Sequence, residues 1–565
     1  MCGASGVSWR TAGHNMNRML WSWLTAGFIQ AGLVAIGILL RGIHYIENRS
    51  FWQDELCLAL SIVNRSFLET FQNFILFPDF AQAPLLFQLI SKTFVSILGN
   101  TEMALRFFPF ITGITAIFLA RRFFNRILTP AAATLALAIF ALGEPLVYFS
   151  AELKPYGVDV FAALLVYEMF FYLRDSWTRR SFALFVVGGA LVIWLSNAML
   201  FILAGAGFVF GLDHVRRQEW GKVKQLAFAY GIWIVSFFIL YKTSLGAMLN
   251  PDLVKNWRLA GGFSPDPVLT WGWCLWVGKA FLSMFRSPLG LGWPLLMAAF
   301  FIAGCRLFWR RDRLILWLLT APLILTLGAG AFDKYPFFER LVLFLLPGVL
   351  VIFAEGVCAA AFAGIWQGRV WGAVIVMAAV LWYPVSVAAW QSVHPRGNED
   401  NRAAMQFLTD NYRTGDIVAI SPQAQYPFWY YSQRMGLTQR LPMHPAGMTG
   451  EQVTPVIQLF PNIVAEAGQE MLALRQTVSV YDAAGYYRSF RLAGRSSTPL
   501  FIPAASPALL KGMGRVWVFL SHHNDARYPL FVDQVFARAG ERLAYFERPG
   551  VSVALYDIPA ADRKK

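Results

Sequence analysis

The carboxylates Asp54 and Glu55 stand side by side in Phe51-Trp52-Gln53-Asp54-Glu55, just after the first long apolar run of the chain. A pair so placed admits two readings. Either Asp54 caps a short helix beginning at about Glu55, or one carboxylate takes a proton from a hydroxyl or amine, the neighbouring charge raising the pKa of at least one member. A second group is Ser150-Ala151-Glu152-Leu153-Lys154-Pro155-Tyr156. Pro155 suits the start of a helix, on which Glu152, Tyr156 and Asp159 fall near one face. An acid at Asp159 inside an apolar helix is costly unless buried against protein. The plainer alternative is an ion pair, Glu152 with Lys154 or Lys154 with Asp159, that stabilises the turn. The third group is Asp333-Lys334-Tyr335-Pro336-Phe337-Phe338-Glu339-Arg340. Here Arg340 either reaches along its stem to lipid headgroups or binds a phosphate through its planar fork of donors.

The chain that must position these groups has 565 residues, 57% of them hydrophobic and 14% charged. Ordinary soluble domains carry about 25% charged residues. Apolar segments of the length a bilayer needs recur through residues 20–390, which reads as a multi-span membrane domain, 1–390. From 391 onward charges, Gln, Asn and Pro become frequent and no run is long enough to span, so 391–565 is expected to be a soluble domain. The net charge is +15. Many Lys and Arg sit in short clusters between apolar runs, the pattern that sets membrane orientation, and no RNA motif or zinc-finger spacing supports a nucleic-acid partner. None of the cysteines (Cys2, Cys57, Cys274, Cys305, Cys358) lies beyond 390, and no CxxC occurs, which argues against a disulfide framework or a cysteine-based metal site. The first run, about 20–40, follows Arg10 and Arg18 and lacks a clear cleavage site, so it reads as a retained signal anchor.

Placing the basic clusters on the cytoplasmic side predicts eleven spans, at about 20–40, 103–120, 130–148, 156–173, 181–195, 197–212, 225–243, 289–308, 314–331, 340–360 and 369–389, the last beginning at Arg369. The N-terminus is then cytoplasmic and the soluble domain extracytoplasmic. The loop 47–82 with Asp54 lies outside, continuing into a helix on the membrane surface, and the apolar 84–98 segment is a second interfacial helix. Lys92, Arg106, Lys154, Lys279, Lys334 and Arg340 remain on the outer side near span ends. The orientation rule does not account for them, whereas a ligand phosphate at the membrane surface would. The soluble domain reads as α/β, with helices at 402–412 and 529–539 and strands at 416–421, 516–521 and 551–557. His522-His523 reads as structural or solvent-exposed rather than metal-binding, because neighbours on a strand point to opposite faces.

In order and topology these features resemble the bacterial polytopic glycosyltransferases of the C-type fold, the group that includes protein mannosyltransferases and the lipid A aminoarabinose transferase. The resemblance spans roughly residues 18–390. It rests on Asp54-Glu55, on Leu98-Gly99-Asn100-Thr101-Glu102 with Ala104-Leu105-Arg106-Phe107-Phe108-Pro109, on Ala151-Glu152-Leu153-Lys154-Pro155-Tyr156, and on the basic-aromatic loop into Arg340 and Pro347. It implies a polyprenyl-phosphate sugar donor, an inverting transfer at the outer face of a bacterial inner membrane, and an acceptor that is a glycan, lipid or protein. It further implies Asp54 as general base with Glu55 assisting, and Lys154, Tyr156, Lys334 and Arg340 around the donor phosphate, with Lys92, Arg106, Glu152 and Asp159 lining the rest of the pocket. Some family members carry a Lys before the proline of the surface helix; here Gln82-Ala83-Pro84 has Ala83, which would pass that role to Lys92, Lys154 or Lys334. No cofactor is implied with certainty, although part of the superfamily uses a divalent metal ion. The rival reading is a transporter or flippase of a lipid-linked sugar, which commonly shows internal repeats and broken midplane helices; no clear repeat is present.

Overall fold

A computed structural model describes residues 9–71, 83–248, 251–366, 370–394, 396–421, 423–437, 456–462, 471–476, 500–503, 510, 512–523 and 527–559. Cys2, Gln82 and Arg369 fall outside these residues, as do the side chains of Arg10 and Arg18. The chain divides into two compact units. One comprises Met1–Glu47, Thr70–Asn73 and Ala83–Pro395; the other comprises Asn48–Glu69, Phe74–Gln82 and Arg396–Lys565.

The first unit is helical. Among the described residues eight helices are long and apolar enough to cross a membrane, and nine if the bent pair Pro130–Leu142 and Glu144–Ala151 counts as one span. This is fewer than the eleven expected. The other two expected spans are helices of a different character. Arg179–Leu195 has only 17 residues, about 26 Å at 1.5 Å per residue, short of a hydrocarbon core of ~30 Å. Pro294–Arg311 carries Arg306, Arg310 and Arg311 in its last turns. The bent pair turns by 56° at Gly143, where Pro145 opens the second helix. Arg41 of the first helix, only 1% exposed, supports this break. Its guanidinium donates to the carbonyls of Ala141 (3.2 Å), Phe140 (3.3 Å) and Gly37 (3.0 Å). A buried cation is thus matched to the carbonyls that the bend frees. Pro294–Arg311 and Leu346–Trp366 cross almost backbone to backbone. A Cβ on Gly304 would lie 1.9 Å from the Ile352 carbonyl oxygen, and one on Gly356 would lie 1.9 Å from that of Phe300. Without a hydrophobic driving force between helices in lipid, such close approach is a principal source of helix association.

Charges gather at one end of this unit. Arg122 and Arg126 meet Glu168 at 2.9 and 3.1 Å, Arg126 also pairs with Asp175, and Arg311 pairs with Glu355 at 2.7 Å while donating to the Ile127 carbonyl at 2.9 Å. The Tyr156–Asp175 helix runs from Tyr156 to this cluster, about 30 Å along its axis.

Among its described residues, the second unit is built on a seven-stranded mixed sheet. Its strands are β1 (Ile417–Ile420), β2 (Val456–Asn462), β3 (Met471–Gln476), β4 (Leu500–Pro503), β5 (Gly514–Ser521), β6 (Glu541–Arg548) and β7 (Val551–Ile558), in the order β4-β3-β2-β1-β5-β7-β6. The β1–β2 and β1–β5 pairings are parallel; the other pairings among the described strands are antiparallel. Val532, Val535 and Phe536 of the Arg527–Ala539 helix pack on Val516, Val518 and Leu520 of β5 and Ala554, Tyr556 and Ile558 of β7. Each fully buried aliphatic or aromatic side chain there contributes about 1.5–3 kcal/mol. At the start of β1 the buried Asp416 accepts from Arg515 Nε (2.8 Å), Trp517 Nε1 (2.8 Å) and the Arg413 amide (3.0 Å), tying β1 to β5.

Candidate functional site

Within the helical unit, the turn after Tyr148 is a short 3-10 segment, Phe149–Ala151, followed by Glu152, Leu153 and Lys154 and then by the helix that Pro155 opens. The Lys154 amide donates to the Glu152 carbonyl at 2.8 Å, and the Asp159 amide to that of Pro155 at 2.8 Å. This local folding buries Glu152 and Lys154, at 0% and 3% exposure, while Tyr156 stays half-buried. The loop of the third group folds over this turn. Arg340, in the first turn of the Glu339–Leu345 3-10 helix, places its guanidinium carbon 5.6 Å from the Tyr156 ring centre and 5.9 Å from that of Trp257. A guanidinium held by two aromatic rings keeps its orientation.

Trp257 had no place in the sequence reading. It belongs to Pro251–Leu259, whose exit at Gly261-Gly262 is joined to the Arg340 loop by the Phe337 amide donating to the Gly262 carbonyl at 2.7 Å. Arg258 pairs with Asp333 across the same junction. Tyr335 is turned inward. Its hydroxyl donates to the Leu341 carbonyl at 2.7 Å, and desolvation pushes its phenol well above the ordinary range, with the charges of Asp159 and Tyr156 adding to the rise. Tyr156, Asp159, Tyr335 and Arg340 are therefore one cluster. Lys334 is exposed on the rim of the loop. Lys92 and Arg106 sit one element away, on Leu85–Leu98 and Glu102–Ile127, which pack through Phe94 on Phe107 and Phe87 on Phe108. Arg106 is 2% exposed and Lys92 half-buried.

The acidic pair belongs to the other unit. Its helix runs Gln53–Val63, with Trp52 at the cap position and no side-chain cap from within the segment. Asp54 is therefore not the cap. The Gln53 amide is satisfied by a residue far along the chain, Glu399, whose Oε2 accepts it at 3.1 Å. Both acids fall in the first turn, where the helix dipole favours negative charge. They differ in exposure: Asp54 is half-buried, whereas Glu55 is 1% exposed. The helix is buried nearly all round, from Glu55 through Ile62, more than a helix resting on a surface would be. The segment before it is held by the C-terminal part of the chain. The Phe51 amide donates to the Tyr431 hydroxyl (3.0 Å), Asn401 Nδ2 to the Phe51 carbonyl (3.0 Å), Arg402 Nη2 to the Asn48 carbonyl (2.7 Å) and Arg49 Nη1 to the Arg396 carbonyl (2.7 Å). Sequence reasoning found His522 but missed its partner: His522 Nδ1 lies 2.6 Å from Glu399 Oε1. Among the described residues no group of three or more His, Cys, Asp or Glu side chains is arranged to hold a metal ion.

Comparison with known proteins places this architecture. No protein-family model matches the chain, and no curated protein matches it. Solved structures do. ArnT from Cupriavidus metallidurans in the apo state is similar over 94% of this chain and 98% of its own, with a TM-score of 0.50 at 10% identity. The same protein bound to undecaprenyl phosphate is similar over 93% and 97%, with a TM-score of 0.50 at 11% identity. The archaeal oligosaccharyltransferase AglB from Archaeoglobus fulgidus, in complex with an inhibitory peptide and a dolichol-phosphate, matches with a TM-score of 0.43 at 15% identity. The chain covers 62% of that protein's length. The fold is that of the C-type glycosyltransferases: a helical membrane bundle with a C-terminal α/β region.

Proposed function

We propose that this chain is a membrane glycosyltransferase that moves a sugar from a polyprenyl-phosphate donor to an acceptor at the extracytoplasmic face of a bacterial inner membrane. The observation that carries the reading is Arg340, a cation fixed between Tyr156 and Trp257 at the end of the bundle remote from the Arg126 and Arg311 ion pairs. In the proposed reaction an acceptor oxygen or nitrogen forms a bond to the anomeric carbon as the bond from that carbon to the phosphate oxygen breaks. The electron pair leaves with the polyprenyl phosphate, whose growing negative charge is met by Arg340 and by the buried Lys154. Fixed donors aimed at developing charge are commonly the largest catalytic term. Asp54 removes the acceptor proton. Its half-exposed position suits contact with a substrate better than that of the fully buried Glu55, which serves to support the helix start. A single displacement of this kind inverts the anomeric centre.

The test is transfer by the full-length protein in lipid nanodiscs, supplied with a membrane lipid extract containing labelled polyprenyl-phosphate sugars and an envelope fraction as acceptor. Asp54→Asn should lower turnover by about 10²–10⁴-fold, the ordinary contribution of a general base, while undecaprenyl phosphate binding is kept. Unchanged turnover removes Asp54 from the mechanism. Donor binding and movement across the bilayer without transfer by the unaltered protein would instead identify a flippase.

A further inference from the structure

The helix that begins at Gln53 has its first amide held by Glu399, 346 positions further along the chain. Glu399 is 6% exposed and fully engaged. Its Oε2 accepts from the Gln53 amide (3.1 Å) and from Asn401 Nδ2 (2.8 Å), while its Oε1 faces His522 Nδ1 at 2.6 Å. Asn401 continues the network, donating to the Phe51 carbonyl (3.0 Å) and accepting from Ser521 Oγ at the end of β5 (2.6 Å). The imidazole of His522 also lies against Trp52, with ring centres 6.5 Å apart and 27° between planes.

The backbone around this network is specialised. His522 has φ +56°, a left-handed conformation that a residue with a Cβ adopts at a cost of roughly 1–3 kcal/mol. Its amide donates to the Gly550 carbonyl at 2.9 Å. Gly550, at φ +70°, backs directly onto the clamp. A Cβ there would lie 2.7 Å from both the Asn398 carbonyl oxygen and Glu399 Cγ. The neighbouring Pro549 carbonyl accepts the Asp400 amide at 3.1 Å. The turn between β6 and β7, the end of β5 and the segment before Asn401 thus converge on one carboxylate, and that carboxylate meets the first turn of the helix carrying Asp54.

We infer that Glu399, supported by His522 and Asn401, is a positioning residue that sets the orientation of Asp54, so that the C-terminal sheet holds the helix that carries the proposed base. This inference rests on the proposed role of Asp54. Placement errors of ~1 Å at a reacting group cost about 10²-fold in rate, and a helix start that loses its clamp is free to move by that much. Substrate affinity is set by other residues and should be little altered.

The experiment compares Glu399→Ala, Glu399→Gln and His522→Ala in the full-length protein in nanodiscs. It follows deuterium exchange of the peptide covering residues 50–60 and transfer with the labelled lipid extract. Glu399→Ala should raise exchange of the Gln53 region by at least ~10-fold and lower kcat by about 10–100-fold, with KM for the lipid donor within about twofold. Glu399→Gln can restore the arrangement, since its amide oxygen accepts from Gln53 and Asn401 while its NH2 donates to neutral His522; it should recover kcat to within about threefold. If Glu399→Ala does not fold, His522→Ala decides the matter. It leaves the Gln53 bond in place but unanchored, and should give an intermediate rise in exchange and fall in kcat. Wild-type exchange at 50–60 in the alanine variants overturns the clamp. So does free exchange with unchanged kcat, or a Glu399→Gln defect as deep as that of Glu399→Ala. If Asp54→Asn proves active the base assignment fails by itself, and the exchange data still report whether Glu399 holds the helix.

Discussion

Replacing Arg340 is the most direct probe of the donor end of the site. Its guanidinium carbon lies 5.6 Å from the Tyr156 ring and 5.9 Å from the Trp257 ring. These contacts exist before any ligand arrives, so their stabilisation orients the side chain rather than adding to binding. Each contributes about 0.5–1 kcal/mol at a half-exposed site, comparable to the ~0.5–1.5 kcal/mol otherwise lost in immobilising a flexible side chain on binding. The hydrogen bonds to a phosphate are the binding component proper, about 1.5–3 kcal/mol for a charged pair. Arg340→Ala should then weaken undecaprenyl phosphate binding by about 10–150-fold, at 1.4 kcal/mol per factor of ten. Arg340→Lys keeps the charge but loses the planar fork and the stacking, and should fall between. Tyr156→Phe, which keeps the ring, should change binding by less than about twofold; Tyr156→Ala should cost about two- to fivefold. The assay is titration of undecaprenyl phosphate into protein-loaded nanodiscs at fixed ionic strength. Equal affinity in Arg340→Ala, or equal losses in Tyr156→Phe and Tyr156→Ala, would refute the account of an aromatic-held phosphate cation.

Two further predictions concern the scaffold. Gly304→Leu must push apart helices whose backbones leave 1.9 Å for a new Cβ beside the Ile352 carbonyl; overpacking of this kind costs about 1–3 kcal/mol or more, seen as a lower melting temperature in detergent, and an unshifted melt would show that the crossing is looser than described. Asp416→Ala leaves the buried Trp517 indole N–H and the Arg515 guanidinium without their shared acceptor. Breaking such a pair costs about 3–5 kcal/mol when fully buried, less here because Arg515 is partly solvated, so calorimetry should show the sheet unit melting about 5–15 °C lower.

Much of the fold was legible because the constraints behind it are local. Lipid offers the backbone no hydrogen-bond partners, so each span must be an apolar helix whose backbone bonds are satisfied by the protein, and the sequence shows where most of them lie. Strands β1, β5 and β7 were also readable, being buried apolar runs of β-branched and aromatic residues. Strand β6 escaped because it lies at the sheet edge and its Glu541-Arg542-Leu543-Ala544-Tyr545-Phe546-Glu547-Arg548 pattern is largely exposed. Two of the expected spans stand out less clearly as apolar helices, because Arg179–Leu195 has only 17 residues and Pro294–Arg311 carries arginines in its last turns.

That Asp54 and Glu55 open a helix, that Pro155 starts another beside Lys154 and Tyr156, and that Arg340 lies at the start of a helical segment after an aromatic loop can all be read from the residues alone, because each depends on neighbours within a few positions. Long-range packing settles the rest: Trp257 completes the setting of Arg340, Asp54 stays half-buried where Glu55 is fully buried, and the helix start is capped by Glu399 rather than by Asp54. Those outcomes depend on pairs of groups brought together over long stretches of chain. A carboxylate such as Glu399 carries no local mark of the distant amide it will accept.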